Sequence, residues 1–314
     1  MYKDLKVLFV GIPDMAYVCL DGLIKAGVNI VGVIGAKKTH NTYLAFKDFV
    51  LKNNLKYIEF DELTDKTFLE EVKSLDADIA VVCSFNYKIP KELLDCVKGG
   101  FINTHPALLP DYRGPNPYSS VIINGEDYTG VTLHFMDENF DTGDIISQKK
   151  IRIFEKETMG TIFNKLNALG LDMLIEALEL YSNNAIIRVK QPEGKFKYAS
   201  RVETNIIDFE NLTATEAERF IRALNPYIIA KTHFRGLLLS IFSAEVVDED
   251  IEGTYGSLVK KDSERFYIKT KDGLLAPTSV QFGGFFISTS KEFISLINPQ
   301  IGEVFTKEQA IGQA

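Results

Sequence analysis

The run Leu5-Lys-Val-Leu-Phe-Val10, which ends in the turn Gly11-Ile-Pro-Asp14, is the first of several short apolar segments in the N-terminal half of the chain. Strands that alternate with helices and are apolar throughout form a parallel sheet covered on both faces. The pattern therefore predicts an α/β domain with a mostly parallel sheet. The predicted strands cover residues 5–10, 28–34, 56–60, 79–84 and 100–103, and the predicted helices cover 15–26, 42–53, 67–75 and 91–97.

The turn after the first strand is where Rossmann-like enzymes that bind dinucleotides carry Gly-x-Gly-x-x-Gly. This chain has Gly11-Ile-Pro-Asp-Met-Ala16 there, with a single glycine. We therefore expect a Rossmann-like sheet that does not bind a dinucleotide.

Composition narrows the class of protein further. The chain has 314 residues and a net charge of −8, so it is long enough for two domains and does not attract nucleic acid by charge alone, although a local basic patch is still compatible with it. Its three cysteines lack metal-ligand spacing, and no apolar run approaches the roughly 20 residues of a membrane span. We expect a cytoplasmic protein without a metal, a signal peptide or a membrane segment.

The C-terminal part of the sequence has a different pattern. A long amphipathic helix is predicted over residues 158–181, and a polar, turn-rich segment follows it around Gln191-Pro-Glu-Gly-Lys195. Thr213-Ala-Thr-Glu216 is typical of a capping box that begins a helix, and Asn225-Pro226 ends that helix. Short strands separated by glycines come after it. We place the domain boundary between residues 200 and 201, so the predicted domains are 1–200 and 201–314.

Two loops contain the residues with the clearest chemistry: Phe101-Ile-Asn-Thr-His-Pro-Ala-Leu-Leu-Pro-Asp-Tyr-Arg-Gly114 and Asp141-Thr-Gly-Asp144. Asn103 and His105 are two apart, so on an extended strand end their side chains point the same way. An amide can donate to a developing oxyanion, an imidazole can move a proton near neutral pH, and a carboxylate such as Asp141 can orient the imidazole. This set suits carbonyl transfer without a covalent enzyme intermediate.

These motifs, together with Thr129-Gly-Val-Thr-Leu133, resemble those of the folate-dependent formyltransferases. Arg222-Ala-Leu-Asn-Pro226 resembles a segment of the family members that act on tRNA or on nucleotide sugars. The resemblance implies a catalytic domain at 1–200 followed by a helix and a small, OB-like β-barrel subdomain at 201–314.

The resemblance also implies a reaction and a set of site residues. The donor would be 10-formyltetrahydrofolate and the acceptor a primary amine, with Asn103, His105 and Asp141 as catalytic residues. The residues implied to bind the folate are Phe85, Asn86, Tyr87, Ile89, Asn139 and Phe140. Those implied to bind the acceptor are Pro110, Tyr112 and Arg113, although Arg113 could instead form an ion pair that stabilises its loop.

Two sequence differences from the tRNA enzymes of the family predict the acceptor. The tRNA enzymes carry an Arg- and Gly-rich loop after the second strand, where this chain has the short segment Gly35-Ala-Lys-Lys-Thr-His-Asn-Thr42 with two cations. They also usually have an Arg-Gly-Ala-Ala-Pro-like sequence where this chain has Arg113-Gly-Pro-Asn-Pro117. We therefore predict an amino sugar linked to a nucleotide as the acceptor, with methionyl-tRNA as the alternative. A homodimer is left open.

Other functions fit the sequence less well. Ser119-Ser120 lacks the Gly-x-Ser-x-Gly elbow of a serine hydrolase. A binding protein without catalysis, or a hydrolase that releases formate from the folate, would be compatible with the same fold. We expect His134, which lies between two apolar residues of a predicted strand, to have a structural role.

Overall fold

The computed structural model describes residues 2–13, 15–284 and 287–307. Asp14, the last residue of the first predicted turn, lies outside them. The chain divides into two compact units. The first consists of residues 1–117, 128–152 and 163–200, and the second of residues 118–127, 153–162 and 201–314.

The first unit is an α/β structure with helices between its strands. Three of its strands, at residues 7–11, 30–34 and 79–83, are almost fully buried, which explains why they are apolar along their whole length. The strands are β1 (Val7–Gly11), β2 (Ile30–Ile34), β3 (Tyr57–Ile58), β4 (Ile79–Cys83), β5 (Phe101–His105), β6 (Tyr128–Phe135) and β7 (Ile145–Arg152). The helices along this part of the chain are α1 (Met15–Lys25), α2 (Tyr43–Lys52), α3 (Lys66–Ser74), α4 (Lys91–Leu94), α5 (Pro117–Ile123) and α6 (Met159–Ser182).

The seven strands form one sheet in the order β3-β2-β1-β4-β5-β6-β7. Strands β1 to β5 pair in parallel, whereas β6 is antiparallel to both β5 and β7. The predicted mostly parallel sheet is therefore confirmed. Strand β5 is longer than predicted and includes His105, because Thr104 and His105 pair with Leu133 and Thr132 of β6.

Two helices differ from the sequence-based expectation. Helix α4 ends at Leu94 instead of continuing to residue 97, because successive turns after it lead the chain directly into β5. Helix α5 was not predicted, because its seven residues are too few to show a helical period.

The second unit is built around an antiparallel sheet. It contains α7 (Ala214–Leu224), β8 (Ala230–Phe234), β9 (Leu237–Val247), β10 (Leu258–Lys261), β11 (Phe266–Lys269), β12 (Leu274–Phe282), β13 (Ile287–Thr289) and α8 (Ser290–Ile297). The predicted capping box is present, with Thr213 and Glu216 each accepting the other's backbone N–H.

The sheet of the second unit has the strand order β10-β11-β12-β9-β8, and β13 pairs with β12. Val304 bridges to Ser257 just before β10, and Thr306 bridges to His233 on β8, so the C-terminal segment links the two edges. This closure confirms a barrel-like second domain. No helix of the described residues is long and apolar enough to cross a membrane.

Candidate active site

Asn103 and His105 occupy the carboxyl end of β5, where ligands of parallel sheets bind. Their side chains share one face of the sheet because they are two residues apart. The parallel register pairs Val82 with Asn103 and Cys83 with Thr104, so the segment that follows β4 begins beside His105. The sheet thereby places the predicted catalytic pair next to the segment 84–90.

Asp141 joins this pair from the connection between β6 and β7. Its Oδ1 lies 3.4 Å from Nδ2 of Asn103 and 3.5 Å from Nδ1 of His105. Its Oδ2 accepts a hydrogen bond of 3.0 Å from the backbone N–H of Gly114. The structure thus brings together the three residues that the sequence predicted as catalytic.

Gly114 is needed at this position for its backbone. Its φ is +117°, and a Cβ there would lie 2.7 Å from a ring carbon of Tyr198 and 2.9 Å from the carbonyl oxygen of Ala199. A side chain would therefore displace the N–H that binds Asp141.

His134 is a site residue that the sequence reasoning missed. It is Asn103's direct partner across the antiparallel β5–β6 pair, and its Nε2 lies 3.1 Å from Nδ2 of Asn103. The same nitrogen is 3.7 Å from Oδ1 of Asp141. Knowledge that β6 pairs with β5 in the antiparallel direction would have identified His134, because directly paired residues of neighbouring strands point to the same face of the sheet.

Gln191 is a second missed residue. Its Nε2 donates to the carbonyl oxygens of Asp141, at 2.9 Å, and Gly143, at 2.8 Å. Its Oε1 accepts from Nε of Arg113 at 3.1 Å. Gln191 therefore links the loop of Asp141 to the loop that follows His105. The sequence around Gln191 is polar and turn-rich, which predicts a linker and does not identify a site residue.

Burial controls the charge of the imidazole. His105 is 4% exposed, and this burial lowers its pKa below the ordinary value of 6.5, although the carboxylate of Asp141 opposes the shift. Nε2 of His105 donates to the carbonyl oxygen of Tyr112 at 2.8 Å, which leaves Nδ1 facing Asp141. The imidazole is therefore held in one orientation and is largely neutral at pH 7.

Asp141 is kept ionised in spite of its own burial. Burial raises the pKa of this carboxyl, but His105, His134 and the N–H of Gly114 outweigh it and bring the pKa from 3.8 to about 2. A fixed negative charge therefore faces the buried imidazole across the whole physiological range.

The residues predicted to bind a folate differ in exposure. The rings of Phe85 and Tyr87 are 5.2 Å apart and pack with Phe60, and Ile89 is buried. Asn86, Asn139 and Phe140 are exposed. The two aromatic rings form a wall along the segment after β4, whereas the other three side chains are open to solvent.

The residues predicted to bind the acceptor line the loop after β5. Pro110 is partly buried. Tyr112 is buried, and its backbone carbonyl oxygen accepts a hydrogen bond from His105. The guanidinium of Arg113 contacts Gln191 through Nε and Nη2, and it lies 5.6 Å from the ring of Phe196. A role for Arg113 toward an acceptor stays a prediction.

No cluster of three or more His, Cys, Asp or Glu side chains suited to a metal ion occurs among the described residues.

The proximity of Asp141 and His105 predicts a coupled titration. The His105 imidazole is expected to titrate below pH 6.5 in NMR spectra, and Asp141→Asn should move that titration to still lower pH, because the lost carboxylate stabilised the imidazolium. Asp144→Asn removes a neighbouring loop carboxylate and should leave the titration in place. An unchanged His105 titration in Asp141→Asn would show that the two groups are not coupled.

Comparisons with known proteins identify the family of the chain. A family model described as formyl transferase matches residues 5–178, and one described as formyl transferase, C-terminal domain, matches residues 200–297. Methionyl-tRNA formyltransferase of Clostridioides difficile (strain 630) is 33% identical over 285 residues, which are 88% of this chain and 92% of that protein.

Solved structures share the fold. The N-formyltransferase from Helicobacter canadensis, in complex with folinic acid and dTDP-3-aminofucose, has a TM-score of 0.64 and 24% identity, over 87% of this chain and 98% of that chain. HypX from Aquifex aeolicus, in complex with tetrahydrofolic acid, has a TM-score of 0.63 and 19% identity. The match covers 95% of this chain and 48% of the HypX chain. On the two family models and the relative from C. difficile, the chain belongs to the formyl transferase family.

Proposed function

We propose that this protein transfers the formyl group of 10-formyltetrahydrofolate to a primary amine. The observation that carries the proposal is the convergence of Asn103, His105 and Asp141 at the end of β5, where the amide and the imidazole each lie within 3.5 Å of the same carboxylate oxygen. Acyl transfer to an amine requires groups of these kinds: a proton carrier, a fixed charge that orients it, and a polar group at the reacting carbon.

The reaction defines what these residues must do. The amine nitrogen attacks the formyl carbon, the carbonyl electrons move onto oxygen, and the tetrahedral intermediate collapses by breaking its bond to the folate nitrogen. The amine loses one proton and the folate nitrogen gains one, so a group that moves a proton balances the step. His105 is suited to this because its buried imidazole is neutral at pH 7 and can be charged beside Asp141.

Polar groups at the reacting carbon would supply much of the acceleration. A fixed donor to an oxyanion is typically worth about 10²–10³ in rate. Proton transfer by a positioned group adds roughly 10²–10⁴. His105 and Asn103 are the candidates for these roles, because they share one face at the strand end.

The aromatic wall after β4 is the proposed side of the folate site. Phe85 and Tyr87 are partly buried aromatic residues of the segment after β4, and aromatic rings suit contact with the flat ring system of a folate. The neighbours solved with folinic acid and tetrahydrofolic acid support this choice of donor class.

Methionyl-tRNA is the acceptor that the sequence relatives favour. The relative from C. difficile is similar along nearly the whole of both chains, whereas the sugar enzyme from H. canadensis shares less of its sequence. We therefore place methionyl-tRNA ahead of the nucleotide-linked amino sugar that the loop sequences predict.

One observation favours the amino sugar as a second candidate. The two cations of the segment after β2 are both paired: Lys37 with Glu62 at 3.0 Å and Lys38 with Glu59 at 2.9 Å. To bind phosphate, these cations would have to leave or share their carboxylate partners. A small acceptor would not need them.

A direct comparison of acceptors tests the proposal. Charged initiator tRNA and several nucleotide-linked amino sugars are each incubated with the enzyme and 10-formyltetrahydrofolate, and the formylated products are measured at several salt concentrations. We expect formyl-methionyl-tRNA, with KM rising steeply with salt because tRNA binding depends on phosphate contacts. Uncharged tRNA is the matched control. Formylation of an amino sugar alone would assign the second acceptor, and formate release without any acceptor would contradict formyl transfer.

A further inference from the structure

We propose that Gln191 is a positioning residue that holds the backbone of Asp141 where its carboxylate can act on His105. All three residues belong to the first unit. The effect on formyl transfer rests on the proposed function, whereas the effect of Gln191 on the geometry of Asp141 does not.

Backbone pairing brings Gln191 beside the loop of Asp141. Val189 and Ile145 exchange two backbone hydrogen bonds, of 2.8 and 2.9 Å, in an antiparallel bridge. Two residues further along, the same antiparallel register sets Gln191 opposite Gly143, and the side chain of Gln191 does bind the carbonyl oxygen of that glycine. Gln191 therefore stands next to the end of the connection between β6 and β7.

The amide of Gln191 fits its partners in one orientation. Its Nε2 donates to the carbonyl oxygens of Asp141, at 2.9 Å, and Gly143, at 2.8 Å. Its Oε1 accepts from Nε of Arg113, at 3.1 Å, and from Nη2 of the same guanidinium. A carbonyl oxygen can only accept and a guanidinium can only donate, so an amide turned over would lose every one of these contacts. Arg113 thus directs both N–H groups of Gln191 at the loop of Asp141.

The backbone of Asp141 adopts a conformation that needs such a hold. Its φ is +57°, in the left-handed region that is uncommon for residues other than glycine. Its Oδ1 lies 3.4 Å from Nδ2 of Asn103 and 3.5 Å from Nδ1 of His105, so these contacts are already long. A change of φ swings the Cβ atom, and relaxation of Asp141 toward negative φ would therefore move the carboxylate off both groups.

The loop after β5 fixes Asp141 at two points. The backbone N–H of Gly114 binds the carboxylate at 3.0 Å, and the neighbouring Arg113 holds Gln191, which binds the backbone carbonyl. The interaction of a carboxylate with an imidazolium weakens as their separation grows. Loss of the hold on the backbone would therefore weaken the effect of Asp141 on the charge of His105, although the carboxylate itself is still present.

Two substitutions of Gln191 separate its contacts with the loop from its contact with Arg113. Gln191→Met has a similar length and lacks the amide, whereas Gln191→Glu can still accept from Arg113 but, when ionised at about pH 8, cannot donate to the two carbonyl oxygens. We expect both to lower kcat about tenfold to a hundredfold, because a displacement of about 1 Å in a catalytic group can cost that much. Gln300→Met removes a glutamine of the second unit whose Nε2 donates to the carbonyl oxygen of Asn298, and it should retain native kcat.

The pattern of losses decides between the two contacts. A native kcat in Gln191→Glu beside a slow Gln191→Met would show that Gln191 serves Arg113 and would overturn the proposal, as would a native kcat in both variants. If Gln191 acts through Asp141, Gln191→Met should cost little more than about twofold in an Asp141→Ala background, whereas fully additive losses would contradict this route. Circular dichroism and melting temperature identify any variant that has lost its fold.

The titration of His105 tests the positioning without a folate or an acceptor. The carboxylate of Asp141 raises the pKa of His105, so a displaced carboxylate should lower that pKa. In NMR spectra we expect His105 to titrate at lower pH in Gln191→Met than in the native protein, but not below Asp141→Asn, and to be unchanged in Gln300→Met. A native titration in folded Gln191→Met would overturn the proposal. The expected titrations in a protein that transfers no formyl group would instead contradict only the proposed function.

Discussion

Replacement of His105 by alanine is expected to lower kcat about 10²–10⁴-fold, the range that a positioned proton carrier contributes. The imidazole is buried between the carboxylate of Asp141 and the carbonyl oxygen of Tyr112, so water cannot take its place in the same orientation. We expect KM for the folate to change little, because the predicted folate residues lie on other segments. Steady-state kinetics with the acceptor identified above provide the measurement.

The His105→Ala variant must be distinguished from an unfolded one. The carbonyl oxygen of Tyr112 loses its imidazole donor, which can cost about 1–3 kcal/mol of stability. His105→Gln retains a donor and should recover stability without recovering proton transfer. A His105→Gln variant that is as active as the native enzyme would show that the imidazole moves no proton in the slow step.

The sheet of the first domain could be predicted because its strands are buried on both faces. Strand β4, for example, is buried at every position from Ile79 to Cys83, so composition alone identifies it. The direction of β6 relative to β5 could not be obtained in this way. It depends on the path of residues 106–127, and hydrophobic periodicity carries no information about that path.

The same limit explains which site residues were predicted. Asn103 and His105 lie two apart, so a local rule places them together, and Asp141 is identified by the family motif. His134 reaches Asn103 only through the antiparallel pairing of β5 and β6. Gln191 reaches Asp141 and Arg113 from 50 and 78 positions away. Contacts that depend on the whole fold leave no trace in local sequence.

Replacement of Asp141 by alanine is expected to lower kcat about 10²–10³-fold, comparable with the removal of a fixed electrostatic group from an active site. Its carboxylate contacts Asn103, His105 and the N–H of Gly114 at once, so its loss frees the amide and removes the charge that favours the imidazolium. Single-turnover measurements with saturating folate isolate this effect from binding.

The combination of Asp141→Ala with His105→Ala shows whether the residues act as one unit. If Asp141 works through the imidazole, the double variant should be no slower than His105→Ala within about threefold, since residues of one catalytic unit are strongly non-additive. Losses that multiply would mean that Asp141 acts on the reaction separately, for instance through Asn103. Asp144→Ala, a carboxylate three residues along the same loop, is the matched control and should retain native kcat. Equal losses in Asp144→Ala and Asp141→Ala would point to the loop as a whole, because of these two carboxylates it is Asp141 that contacts Asn103 and His105.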